Sequence, residues 1–196
     1  MNAAALRARL SLLATEPPPI GGDDARGYVR GKLTPAAVLV PIVLGPAPSI
    51  LLTKRTSHLA RHAGQVSFPG GRIDPEDPHP EAAALREAEE EIALAPHHVE
   101  LAGRLGEYIT GTGYAITPVV GFVPAGLAYT PSPHEVEDVF ELPISVVLDP
   151  AAPTRQTRYS NGSWREFWVW PHERHFIWGA TAGILVHLAG FLRAEI

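Results

Sequence analysis

A mixed β-sheet packed between helices, an α/β fold, is what this sequence predicts. Apolar, β-branched runs of strand length lie on both sides of a stretch rich in alanine, leucine, arginine and glutamate, and a second apolar helical stretch comes near the end of the chain. At 196 residues, 45% hydrophobic and 19% charged, the chain can enclose a substantial core as one domain with short terminal additions.

The start, Met1 to Ala14, carries Arg7 and Arg9 inside what would have to be a signal core, so a short amphipathic helix is expected there. Pro17 to Gly31 is rich in proline, glycine and aspartate and reads as a connector. Residues 1–33 are therefore expected as helix plus connector, and 34–196 as the folded domain. Ala36–Leu44 and Ile50–Thr53 read as strands joined by a hairpin turn at Gly45-Pro46-Ala47-Pro48. Pro80 to Ile92 has no internal proline or glycine and predicts a helix, starting after the Asp/Pro-rich turn and ending before Pro96. Strands are expected at Val99–Tyr108, Ala115–Val123, Thr154–Ser160 and Trp164–Trp170, and a last helix from Thr181 to Leu192. No internal repeat is visible.

A net charge of −5 argues against a nucleic-acid partner, because duplex binding draws on broad phosphate neutralisation. Prolines and glycines break the apolar stretch Ala36–Leu52, so no membrane span is expected. Without cysteine there is no disulfide, thiolate or cysteine-zinc chemistry. The final Ala194-Glu195-Ile196 is not a Ser-Lys-Leu address, and the expected location is cytoplasmic.

The strongest chemistry lies in Arg86-Glu87-Ala88-Glu89-Glu90-Glu91-Ile92. On a helix, Glu87, Glu90 and Glu91 fall within an arc of about 100°, since positions three and four apart are neighbours. Leu85, Ala88 and Ile92 form an apolar stripe to seat the helix, and Ala83 and Ala84 leave space beside the carboxylates. Three such charges repel unless neutralised, and hard oxygen donors suit Mg²⁺ or Mn²⁺. A solvated acidic face partnered by Arg86 is the alternative. Upstream, Phe68-Pro69-Gly70-Gly71 ends an apolar run, and its paired glycines permit either an ordinary turn or close backbone approach to a ligand.

Together, Gly71, the Asp-rich loop and Arg86 to Leu94 resemble the Nudix box, G-x5-E-x7-R-E-U-x-E-E-x-G-U with U apolar. Asp77 stands at the usual glutamate position, one extra residue precedes Arg86, and Ala93 replaces the glycine. Asp77 can still accept a salt bridge or helix-terminal hydrogen bonds, and Ala93 bears only on the shape of the helix end. Leu51-Leu52-Thr53-Lys54-Arg55-Thr56, then Gly64 and Phe68-Pro69-Gly70-Gly71, are similar to the signature of the coenzyme A pyrophosphatases, L-L-T-x-R-[S/A]-x3-R-x3-G-x3-F-P-G-G. Thr56 and Ala60 depart from it, with Arg61 next to the second arginine position. Fainter likeness at Gly113–Gly121, Glu135–Pro143 and Ile177–Thr181 extends the resemblance over Ala36–Leu192.

The resemblance implies a Nudix-type α/β/α sandwich and Mg²⁺- or Mn²⁺-dependent cleavage of the pyrophosphate of coenzyme A to 3′,5′-ADP and 4′-phosphopantetheine. Glu87, Glu90 and Glu91 would hold metal, Arg86 would fix the carboxylates, and Arg55 and Arg61 would clamp phosphates beside Gly64, Gly70 and Gly71. Glu90, Glu135 or Glu137 could act as general base, although Glu137 to Glu141 also reads as a half-buried strand. Lys54, Arg55, His58, Arg61, His62 and Arg72 form the local basic patch that a polyphosphate ligand needs on an acidic protein. Tyr114, Tyr129, Trp164 and Trp168 are candidates for stacking on adenine or for the core. Two other readings stand beside this one: a Nudix hydrolase for ADP-ribose, NADH or a diadenosine polyphosphate, and a Nudix-like binding module without catalysis.

Overall fold

The computed structural model describes residues 1–13, 17, 32–58, 62–160 and 162–194. Arg61 and most of the expected connector lie outside these residues. The elements are α1 (Ala3–Leu10), β1 (Thr34–Leu44), β2 (Ser49–Arg55), β3 (Val66–Ser67), β4 (Gly70–Arg72), α2 (Pro80–Ile92), β5 (Glu100–Arg104), β6 (Tyr108–Ile109), β7 (Tyr114–Pro124), β8 (Val136–Pro143), α3 (Ile144–Leu148), β9 (Thr154–Ser160), β10 (Ser163–Trp170), β11 (Ile177–Trp178) and α4 (Gly179–Arg193). A single 3-10 turn, Pro96–His98, follows α2.

β1 is apolar almost throughout because both of its faces are covered. Ala37, Leu39 and Val43 pack with Ala83, Ala84, Ala88 and Ile92 of α2, whereas Val40 and Ile42 pack with Ile184, Leu185, Leu188 and Leu192 of α4. The result is the expected α/β/α sandwich. The sheet is mixed: β1 runs parallel to β7 along its whole length, and the other pairings are antiparallel, in the order β3-β2-β1-β7-β5. β4 joins β1, β6 joins β7 and β8 joins β2, while β11-β10-β9 form a second small sheet. α1 docks on the α4 side, burying Leu6 and Leu10, and Arg9 Nε donates to the Phe191 carbonyl at 2.8 Å.

The opening of the functional cleft follows from this topology. β2 holds β8 along its whole length but pairs with β1 only at Ile42 and Val43; beyond them it diverges from β1 and pairs with β3, and β4 pairs with β1 along Ala36 to Val38. Gly70 is needed there: its φ is +154°, and a Cβ would lie 2.6 Å from Val38 Cα.

α2 has the predicted limits. His79 caps its start by accepting from Ala82 N at 3.1 Å, with Pro80 in the first turn. One expectation is corrected: Ala83 and Ala84 are fully buried and leave no space beside the carboxylates. Their small side chains let the helix approach β1 closely, so they belong to the seating face, and Leu85 is only partly buried. Ala93 closes the helix in the left-handed conformation, φ 55° and ψ 31°, where glycine is favoured. Ala93→Gly is therefore expected to stabilise the protein by about 0.5–1 kcal/mol, the left-handed cost of an L-residue less the extra chain entropy of glycine. Thermal denaturation should show a midpoint about 2–3 °C higher. A lower midpoint would mean that the Ala93 methyl contributes packing that outweighs its backbone cost.

The strand expected over Val99–Tyr108 is instead β5 and β6, separated by a loop, with a register shift between Leu101 and Gly103. β3, β4, β11 and α3 were not expected from the sequence; at two to five residues they are too short to show a period.

Candidate active site

A cavity of about 630 Å³ opens where β2 and β4 diverge. Its lining includes Arg55, Gly70, Gly71, Glu87, Glu91 and Glu135, together with residues of the β9–β10 hairpin and the start of α4.

Glu91 projects from α2 beneath this opening and is 2% exposed. Its Oε1 accepts from Arg55 Nη1 at 3.2 Å and its Oε2 from the Gly70 amide at 3.1 Å. Burial nevertheless pushes its carboxyl up to about 7, against the opposing pull of Arg55 and the Gly70 amide. Burial also raises Glu87, which is 17% exposed, and the neighbouring Glu90 and Glu135 add to that rise. Gly71 passes so close to Glu87 that a Cβ would collide with its carboxylate.

Arg86 organises the acidic cluster. Its Nε and Nη2 donate to both Asp77 oxygens, at 3.2 and 3.0 Å, and its Nη1 to Glu87 at 3.1 Å and Glu90 at 3.2 Å. Nη2 also donates to the Arg72 carbonyl at 3.2 Å, tying α2 to β4. Asp77 thus accepts the salt bridge expected of it, and the Arg86 guanidinium holds its carboxyl below the usual range.

The expected convergence of three carboxylates is only partly met. Glu87 and Glu91 line the cavity, but Glu90 is 59% exposed, turned to Arg86 and outside the lining. Among the described residues, no three acidic or histidine side chains stand together as a ligand set. The arginines are the physical reason, since Arg86 and Arg55 each draw carboxylates to themselves. The donor set still fits a hard divalent cation: it offers carboxylate oxygens alone, two of them on groups whose burial disfavours the charge they would carry.

This arrangement predicts a pH dependence. With Glu91 near 7 in the folded protein and 4.5 as its ordinary value, the folded state binds more protons than the unfolded chain between those values. Stability conferred by the protonated form is present below the unfolded value and lost as pH rises toward 7. In EDTA, this contribution should give a higher midpoint at pH 5 than at pH 8, and Glu91→Gln should flatten the slope. An equal slope in that variant would remove Glu91 as the cause.

The basic patch is partly redistributed. Lys54 pairs with Glu137 at 2.6 Å, on β8, so neither lines the cavity; Glu137 lies in the strand expected there. Arg72 donates to the Tyr114 hydroxyl at 3.2 Å and both line the cavity, as does His62, whose Nδ1 is 2.9 Å from Gln65 Oε1. His58 and Gly64 do not line it, although Gly64 shapes the preceding turn with φ +68°. Of the four aromatic candidates only Tyr114 reaches the cavity. Trp164 is exposed against Tyr159, Trp168 lies under Arg155, and Tyr129 is half-buried. Sequence reasoning missed Arg158, Arg165, Glu166, Phe167 and Trp178 in the lining. For Arg158, Arg165 and Phe167 the signal is the two-residue alternation along the hairpin, which cannot say which face meets the cavity.

The profile of the NUDIX domain matches residues 33–174. The chain belongs to the Nudix family. Two relatives, from Escherichia coli O7:K1 and E. coli K12, are described as the uncharacterized Nudix hydrolase NudL; each is 48% identical over 154 residues, 79% of this chain and 80% of theirs. The solved MutT/nudix family protein of Enterococcus faecalis superposes with a TM-score of 0.51 at 14% identity, covering 82% of this chain and 62% of that one, and supports the fold. The matched span includes the acidic helix and its arginine hub, and the chain is a Nudix pyrophosphohydrolase, a class that acts on small nucleotide compounds. No helix among the described residues is long and apolar enough to cross a membrane.

Proposed function

We propose that this Nudix hydrolase cleaves the pyrophosphate bond of coenzyme A, giving 3′,5′-ADP and 4′-phosphopantetheine. One observation carries the reading. Arg55 and Gly70, both fixed positions of the coenzyme A pyrophosphatase signature, meet on the same carboxylate, Glu91 of the Nudix helix. The motif that suggests the substrate and the motif that suggests the chemistry therefore share one site.

Glu87, Glu90 and Glu91 would hold Mg²⁺ or Mn²⁺, with Glu90 leaving Arg86 to do so. Bound there, the cation supplies positive charge to a diphosphate and acidifies water. Arg86 orients Glu87 and Glu90 through charge-assisted hydrogen bonds, and Arg55 brings a guanidinium to the cavity lining for phosphate. Glu135 takes the proton in this reading, because it lines the cavity while Glu90 rests on Arg86 and Glu137 on Lys54.

The test is a product assay with Mg²⁺ or Mn²⁺ and separate offers of coenzyme A, ADP-ribose, NADH and a diadenosine polyphosphate, with products weighed by mass spectrometry. Selective release of 3′,5′-ADP and 4′-phosphopantetheine, abolished by EDTA, is expected. Preference for another dinucleotide would sink the coenzyme A assignment, and no metal-dependent turnover would favour a binding module.

A further inference from the structure

The cavity lining carries charges of both signs. Glu87, Glu91 and Glu135 line it together with Arg55 and Arg72. Arg158 of β9 and Arg165 of β10 are direct cross-strand partners, and both line the cavity. Like charges set opposite each other in an antiparallel pair are destabilising on their own. Between Thr154 and Trp170 the sequence has one acidic residue, Glu166, which also contributes to the cavity lining and whose side chain pairs with Arg155 at 3.1 Å.

Two further features mark what such a lining receives. Phe167, two residues from Arg165 and on the same face, meets Trp178 edge to face at 5.4 Å, and both rings line the cavity. α4 begins beside them without a side-chain cap, so the positive end of a 15-residue helix opens on the same space. An anion next to an aromatic platform is the chemistry of a phosphorylated nucleoside.

We propose that Arg158 and Arg165 form a subsite for the 3′-phosphate monoester on the adenosine half of the substrate, distinct from the place of the scissile diphosphate and responsible for selecting coenzyme A over dinucleotides that lack it. This rests on the coenzyme A reading, and the experiment separates the two.

Isothermal titration of the full chain in Mg²⁺ with 3′,5′-ADP and with 5′-AMP measures the contribution of the extra phosphate. The wild type should bind 3′,5′-ADP about 10- to 100-fold more tightly, the scale of charge-assisted hydrogen bonds. Arg158→Gln should reduce that ratio at least fivefold, whereas Arg155→Gln, an equal charge change on the opposite face, should leave the ratio as it was. No discrimination in the wild type, an equal fall in both variants, or tighter binding of 2′,5′-ADP than of 3′,5′-ADP would each overturn the subsite. A wild type that discriminates but does not cleave coenzyme A would retain the subsite and sink the substrate. One that cleaves coenzyme A without discrimination would do the reverse.

Discussion

Glu91→Gln is expected to lower kcat by about 10³-fold on whichever dinucleotide the enzyme cleaves, with the protein still folded. The carboxylate is anchored from two sides, by Arg55 and by the Gly70 amide, so its charge is delivered at a set position in a buried setting. Removing one preorganised charge of that kind typically costs about 10²–10³ in rate. Glutamine keeps the shape and can still accept from Gly70, and Arg55 remains partly exposed to water, which limits the structural loss. The metal-free midpoint at pH 8 should be equal to or above that of the wild type, because a charge destabilised by burial has gone. Steady-state kinetics and thermal denaturation on the same preparation check both halves; more than a tenth of wild-type activity would remove Glu91 from the machinery.

Gly71→Ala should separate activity from stability in another way. A methyl group there collides with the Glu87 carboxylate, the far end of a side chain that can swing aside, so the fold should lose little. Glu87 would be displaced from its present position, and misplacement by about 1 Å can cost about 10²-fold in rate. Gly70→Ala is the contrast, because its Cβ would meet the backbone of Ala37 and Val38 and the residue already has φ +154°. That variant should lose several degrees of thermal midpoint, whereas Gly71→Ala should stay within about 2 °C. If both variants lost stability alike, the space around Gly71 would be structural and its link to Glu87 incidental.

Much of the fold was legible because long elements carry their own period. Pro80–Ile92 declares itself by residue type and by the proline and histidine at its start, and β1 and β7 by apolar runs that only strands covered on both faces need. β4 has no such signature; three residues become a strand there because β2 leaves the edge of β1 and opens a place for them. The acidic residues and Arg86 were visible as types at helical spacing, but their rotamers answer to partners from elsewhere in the chain. Asp77 and Arg72 hold Arg86, and Arg86 in turn draws Glu90 out of the cavity.

By itself, the sequence determined the residue types on offer: carboxylates on one helix, a glycine pair ahead of them, and a net charge of −5 that argues against a broad basic face. Tertiary structure alone decided which residues share a cavity. Glu135, Arg158 and Arg165 lie far from α2 along the chain, and a loop return and a strand register carry them to it. Local spacing controls contacts within an element through its geometry, whereas contacts between elements depend on the packing of faces that no local period records.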